Sequence, residues 1–267
     1  MPLHHSEAYV LRTYTLKEAD KICVLLTRES GKVRGVAAGA RRLKSRFGSS
    51  LEPFTEVLVS YFQRENRELV SISSCEIIKS QFPADLSGEY LGVLHYLAEL
   101  ILEFVPDHEP NQRVYRLAGA ATEVLRQSGP GQFAPLARYC EIWMLRLAGF
   151  LPDLGHCAGC NLNAMRETSV WLGPDGSALC ADCSFRRGFE IRPEVRRVLS
   201  KILTSSPLDF VSQSHDQQIV AQVAVIASRL ISQILDRELR SPEIMGQLRV
   251  TENFSDPQRS KKQAPTG

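Results

Sequence analysis

The sequence predicts an α+β protein: an N-terminal five-stranded OB-fold barrel followed by an α-helical domain carrying a four-cysteine zinc module. Three observations carry this. Short runs rich in aromatic and β-branched residues recur up to about residue 80. Beyond Pro83 the apolar residues recur at helical spacing instead. Cys157, Cys160, Cys180 and Cys183 form two Cys-x-x-Cys pairs, a spacing that lets two tight turns present four sulfurs to one tetrahedral ion.

The strands come first. Residues 8–16 are aromatic and β-branched, and residues 22–27 are a compact apolar run. Ser30-Gly31 makes a turn, and residues 32–37 return as the second arm of a hairpin. Pro53 precedes a partly alternating run over 54–62. Residues 63–68 form a polar turn, and 69–78 supply the last strand. Five strands with no long helical pattern suit a Greek-key barrel of the OB type, with an SH3-like barrel as the alternative. Either closes the sheet and removes its edges. The first domain is placed at residues 1–80.

The helical domain is placed at 81–248. Its first helix carries Leu86, Tyr90, Leu94, Leu97, Ile101 and Phe104, and stops before Pro106. A second carries Val114, Leu117, Ala118, Ala121, Val124 and Leu125, and Gly129-Pro130-Gly131 breaks it. A third runs over 133–148 to Gly149 and Pro152, with Tyr139 and Trp143 read as bundle core. Helices resume over 193–203 and 215–239. Residues 249–267 are polar and are read as a disordered tail.

The zinc module is placed at 154–186. Between its cysteine pairs, Val170-Trp171-Leu172 and Ser177-Ala178-Leu179 flank Gly173-Pro174-Asp175-Gly176, a hairpin pattern. Asn161 follows the second cysteine, where a left-handed backbone is expected and asparagine tolerates it. Four thiolates leave zinc no open position, so the ion holds structure and activates no water. His156 adjoins Cys157 and is an alternative ligand. Cys23, Cys75 and Cys140 sit in apolar runs and are read as core.

The chain has 267 residues, with 43% hydrophobic residues and a formal charge of +2, enough for two packed units. Free thiols with a metal pattern point to a reducing compartment. The N-terminus lacks a signal-peptide pattern, and no apolar run is read as long enough to cross a bilayer. The expectation is a cytoplasmic protein that is associated with the nucleoid and has no membrane partner.

The small net charge conceals an uneven distribution. Arg28, Lys32, Arg34, Arg41, Arg42, Lys44 and Arg46 face one acid, Glu29, amid glycines and serines. Guanidinium forks grip phosphate oxygens, so Arg34, Arg41, Arg42, Lys44 and Arg46 are the candidate residues for binding nucleic-acid phosphates. Phe47 is a candidate for base stacking, with Tyr61 and Phe62 further along. Nothing in the segment reads base sequence, so binding is expected to be backbone-directed and salt-dependent. A solvated loop is the plain structural alternative.

A P-loop, a Gly-x-Ser-x-Gly elbow and a His-Glu-x-x-His helix are all absent from the sequence. The expectation is a protein that is not an enzyme. Rival readings are a general nucleic-acid-binding module with a structural zinc site, related to RNA or translation, a metal-dependent nuclease, and a structural adaptor.

The run Gly31-Lys32-Val33-Arg34-Gly35-Val36-Ala37-Ala38-Gly39-Ala40-Arg41-Arg42-Leu43-Lys44-Ser45-Arg46, continued by Leu51-Glu52-Pro53-Phe54, resembles the N-terminal barrel of bacterial RecO, a DNA repair and recombination mediator. Gly149-Phe150-Leu151-Pro152-Asp153-Leu154 leading into Cys157 and Cys160 is similar to the same family. The resemblance implies binding of single- and double-stranded DNA and annealing of complementary strands. It implies work with RecR, and in many bacteria RecF, to load RecA onto strands coated by single-strand-binding protein. It also implies contact with that protein's C-terminal tail and Zn2+ at the four cysteines. An acidic tail ending in an aromatic residue suits an apolar pocket with a basic rim. Arg192, Arg196, Arg197 and Lys201 are the candidate rim, in a cluster with Arg186 and Arg187.

Overall fold

The computed structural model describes residues 2–63, 68–81, 87–163, 169–237 and 239. The expected first-helix position Leu86, most of the turn at 63–68 and the tail at 249–267 lie outside the described residues.

Strands β1 (Leu3–Leu16), β2 (Asp20–Thr27), β3 (Gly31–Ala37), β4 (Glu56–Phe62) and β5 (Val70–Lys79) form a closed barrel in the order β1-β2-β3-β5-β4. The β1–β4 pairing runs from Leu3↔Phe62 to Tyr9↔Glu56 and closes it. The β3–β5 pairing is parallel, at Gly35↔Val70 and Val36↔Ser71. Gly35 makes that seam possible, because a Cβ there would stand 2.7 Å from side-chain carbons of both Ile72 and Val70. The OB-type reading of the sequence therefore holds.

The barrel encloses Ala8, Val10, Cys23, Leu25, Val33, Val57, Val59, Val70 and Ile72. The opposite face of β1 and β2 is also buried. Tyr9, Leu11, Val24 and Leu26, with Phe54, belong to the helical core. Two-sided burial is why residues 22–27 read as an unbroken apolar run rather than an alternating one.

Helices α1 (Gly88–Phe104), α2 (Gln112–Gln127) and α3 (Pro130–Leu147) follow. Ser87 caps α1 by accepting from the Tyr90 amide at 3.1 Å. Gly129-Pro130-Gly131 does end α2, but α3 already begins at Pro130, three residues earlier than the sequence suggests. Proline is tolerated at a first helical position because its missing N–H would have no partner there. Tyr96 of α1 donates to the buried Glu141 of α3, and Arg138 reaches the same carboxylate at 2.6 Å. Burial raises the Glu141 pKa, while Arg138 and the hydrogen bonds oppose the rise.

A three-stranded sheet, β7-β6-β8, comprises β6 (Val170–Leu172), β7 (Ala178–Leu179) and β8 (Phe189–Ile191), with α4 (Ala181–Ser184) between β7 and β8. The predicted hairpin is β6–β7, paired at Trp171↔Leu179 and Leu172↔Ala178. Helices α5 (Pro193–Thr204), α6 (Pro207–Val211) and α7 (Gln217–Leu235) complete the described chain. By length and composition α7 is apolar enough to cross a membrane, contrary to the sequence expectation. Here it packs Val223, Ile226, Ala227, Leu230 and Ile231 into the shared core.

The barrel is stitched to the segment 105–111 by a buried cation. Lys32, 4% exposed, donates from Nζ to the Leu102 carbonyl at 2.8 Å and meets Asp107 Oδ1 at 3.1 Å. The His108 amide returns a hydrogen bond to the Lys32 carbonyl at 2.9 Å. Lys32 is thus structural and does not belong to the basic surface. Asp107→Ala should lower stability by about 1–2 kcal/mol, less than a fully buried pair because the partly exposed carboxylate is screened by water. A melting curve should show a drop of roughly 2–6 °C.

Candidate nucleic-acid interface and metal centre

The basic segment after β3 is a series of tight turns. Ala40 N donates to Ala37 O, Arg42 N to Gly39 O and Ser45 N to Arg42 O. Its root is pinned to the β1–β2 turn. Gly39 N donates to Asp20 Oδ1 at 2.8 Å, Arg41 N to Ala19 O at 2.9 Å, and Arg41 Nη1 to Lys17 O at 3.2 Å. These bonds give the segment a defined base.

Arg41, Arg42, Lys44 and Arg46 are all carried on this one segment, and all four are exposed. Arg34 stands apart in the middle of β3, with its Nε 3.2 Å from Asp107 Oδ2. Four of the five candidates are therefore brought together, and the fifth is engaged by the same carboxylate that holds Lys32.

The proposed stacking residue Phe47 requires correction. It is 2% exposed and packs in the barrel core with Leu51. Arg46 lies over its ring, 5.0 Å from the centroid. Tyr61 is also core, with its hydroxyl 3.1 Å from Ser30 Oγ, while Phe62 is partly buried. The apolar side chain at the tip of the segment is Leu43, which is fully exposed. The sequence carried that signal, because Leu43 lies within the basic run whereas Phe47 only follows it.

The four cysteines converge. Their sulfurs all lie within 4.8 Å of one another, and Cys160 and Cys180 are 3.8 Å apart. A tetrahedral ion with Zn–S bonds near 2.3 Å requires sulfurs about 3.8 Å apart. The knuckles are built by the backbone. Cys157 N donates to Leu162 O, Asn161 N to Cys157 O, and Ala158 N to Ala178 O, tying the first knuckle to β7. Asn161 adopts φ +57°, as its position in the sequence suggested. Cys180 caps α4 and donates from its amide to Cys157 Sγ at 3.2 Å.

Burial works to raise the Cys157 thiol, but amide donors from Cys180, Cys160 and Gly159 outweigh it and bring the pKa down to about 6. Cys183 is pushed up to about 12, chiefly by hydrogen bonding to Cys160 and then Cys180 and Cys157. Four such sulfurs cannot all ionise side by side without a cation among them, so the donor set fits a metal ion. His156 is not part of the cluster, and its Nδ1 lies 2.9 Å from Asp153 Oδ2. Cys23, Cys75 and Cys140 are buried, as read from the sequence.

The predicted rim residues do not all line one hollow. Arg196 is only 8% exposed, and Arg192 sits at the start of α5 facing Glu194 at 3.8 Å. Arg196 and Arg197 line a groove of about 910 Å³ between α5 and residues 151–155, with Leu151, Leu154, Leu199 and Leu203. Neither Arg192 nor Lys201 is among its lining residues. Arg146 of α3 also lines it, and it lines a second hollow of about 550 Å³ with Arg113, Arg116, Tyr139 and Trp143. Sequence reasoning missed Arg146. Its signal was a cation in the last turn of the third helix.

A closed OB-type barrel with a cationic segment, continued by helices and a four-cysteine cluster, defines a candidate nucleic-acid-binding protein. Residues 1–81 match the family model described as Recombination protein O N terminal, and residues 86–243 match Recombination protein O C terminal. A protein of Koribacter versatilis (strain Ellin345) named DNA repair protein RecO is 38% identical over 238 residues, spanning 89% of this chain and 94% of that one. A protein of the same name from Geobacter metallireducens (strain ATCC 53774 / DSM 7210 / GS-15) is 32% identical, spanning 91% and 97%. The chain belongs to the RecO family, whose role lies in DNA repair and recombination.

Phe47→Ala should cost about 3–5 kcal/mol as a core truncation. Leu43→Ala should leave the melting temperature unchanged. Thermal denaturation of the two variants side by side checks the assignment.

Proposed function

We propose that this protein is a non-enzymatic recombination mediator. It holds DNA strands by their phosphates, anneals complementary strands, and helps load RecA onto single strands coated by single-strand-binding protein. The observation that carries the reading is the display of Arg41, Arg42, Lys44 and Arg46 on one segment anchored to the barrel rim. Neutralising phosphates on two strands lowers their mutual repulsion and lets bases pair with no chemical step. Arg34 joins this surface if phosphate displaces it from Asp107. The family's partners, RecR and in many bacteria RecF, enter on the strength of that membership, as does a cytoplasmic, nucleoid-associated location.

The acidic C-terminal tail of single-strand-binding protein fits the groove between α5 and residues 151–155. Its leucines provide an apolar floor, and Arg146, Arg196 and Arg197 supply positive charge. The metal is Zn2+, held by Cys157, Cys160, Cys180 and Cys183, with all four positions filled and a structural role. When bound it supplies cross-linking of β7 and α4 to the first knuckle, and the four cysteines contribute only ligation.

Arg41→Ala combined with Arg42→Ala should slow annealing of complementary oligonucleotides. It should also make the slope of log K against log salt shallower by roughly 1.4 for single strands. Salt titrations that overlay the parent would remove the segment as the DNA site. Metal analysis should find one zinc per chain. Chelation should alter Trp171 fluorescence, because Trp171 pairs with β7, and should weaken DNA binding far less than loss of Arg41 and Arg42 does.

A further inference from the structure

We propose that the outward turn of the cysteine module, Phe185 to Arg187, is a second contact for single-stranded nucleic acid. Phe185 stacks on a base, and Arg186 and Arg187 hold the adjoining phosphates. The inference rests on the reading of the protein as a DNA binder, but on a different part of the chain from the barrel segment.

Phe185 is 81% exposed, although most large aromatics of the described chain are buried or half-buried. An aromatic ring standing in water gives up the free energy of burial, so its position invites a partner. Its backbone is left-handed at φ +51°, and that of Arg186 is left-handed at φ +53°. Two consecutive side chains in this region are unfavourable relative to glycine, and such conformations persist where the surroundings enforce them.

The surroundings do enforce them here. Phe185 N donates to Asp182 O, Arg186 N to Ala181 O at 3.1 Å and to Ser184 Oγ at 3.0 Å, and Arg187 N to Ser184 O at 2.9 Å. Gly188 then passes so close to β6 that a Cβ would stand 2.3 Å from the Leu172 carbonyl oxygen. The turn begins two residues after Cys183, one of the four clustered cysteines.

The chemistry of this turn suits one occupant. Every base offers a π-face, so a lone ring stacks without sequence preference. The guanidinium groups of the two residues that follow it can hold phosphates adjoining a stacked base. Arg186 and Arg187 are exposed, and among the described residues no ion pair with a carboxylate holds either one. The neighbouring acids are Asp182, which is exposed, and Glu190, which accepts from Ser169 Oγ at 2.6 Å.

The test uses the full chain and fluorescein-labelled oligothymidylate in low-salt buffer. Phe185→Ala should weaken binding roughly tenfold, within the range seen when stacked aromatics are truncated. Arg186→Ala with Arg187→Ala should flatten the salt slope by roughly 1.4. Phe185→Trp should retain affinity and add an emission component that the oligonucleotide quenches, above the background of Trp143 and Trp171. Parent-like affinity and slope in the first two variants, with no added quenching in the third, would overturn the proposal. If those results came with binding that collapsed in the Arg41 and Arg42 double variant, only this second contact would fall. A parent chain that binds no oligonucleotide would remove the barrel reading and this one together.

Discussion

The structure depends on one shared wall. Strands β1 and β2 bury one face inside the barrel and the other against the helices, so two cores lean on a single hairpin. Tyr9 shows the arrangement: its ring lies 5.0 Å from that of Tyr115 on α2 and 6.4 Å from that of Phe54. The barrel closes through β1–β4 and the β3–β5 seam. Its outer surface is then fixed relative to the helical domain by packing rather than by a flexible connection.

That fixed frame gives the charged features their meaning. The cationic segment is rooted on the β1–β2 turn, the turn of the shared hairpin itself. The cysteine centre lies at the other extreme of chemistry. There, backbone amides favour an anionic Cys157 while neighbouring sulfurs resist further ionisation. A bound cation would relieve that conflict, which would couple metal ligation to folding of the module.

Much of this was legible in the sequence because it follows from local period and spacing. The barrel strands, the three long helices of the first half and the two cysteine pairs announce themselves in that way. What escaped was short or depended on neighbours. Strand β8, Phe189–Ile191, has too few residues to show a period. Helix α6 is a single turn, although Ser206 before Pro207 is a readable start, and Ser206 Oγ does accept from the Asp209 amide at 3.1 Å. Phe47 looked accessible because charged residues surround it in the chain, yet it fills space that only barrel closure creates. Lys32 and Arg196 were counted with the surface cations because burial of a charge cannot be seen until its partners are placed. The groove beside α5 needed α3, α5 and residues 151–155 together, which no linear pattern displays.

Asp107 serves two cations of unequal accessibility, the buried Lys32 and the solvent-facing Arg34. At molar ionic strength the screening distance shrinks to about 3 Å. Exposed contacts with polyanions are then abolished, while a pair sheltered from solvent persists. Concentrated brine during purification should therefore strip adventitious polynucleotide from this protein without prising its two halves apart.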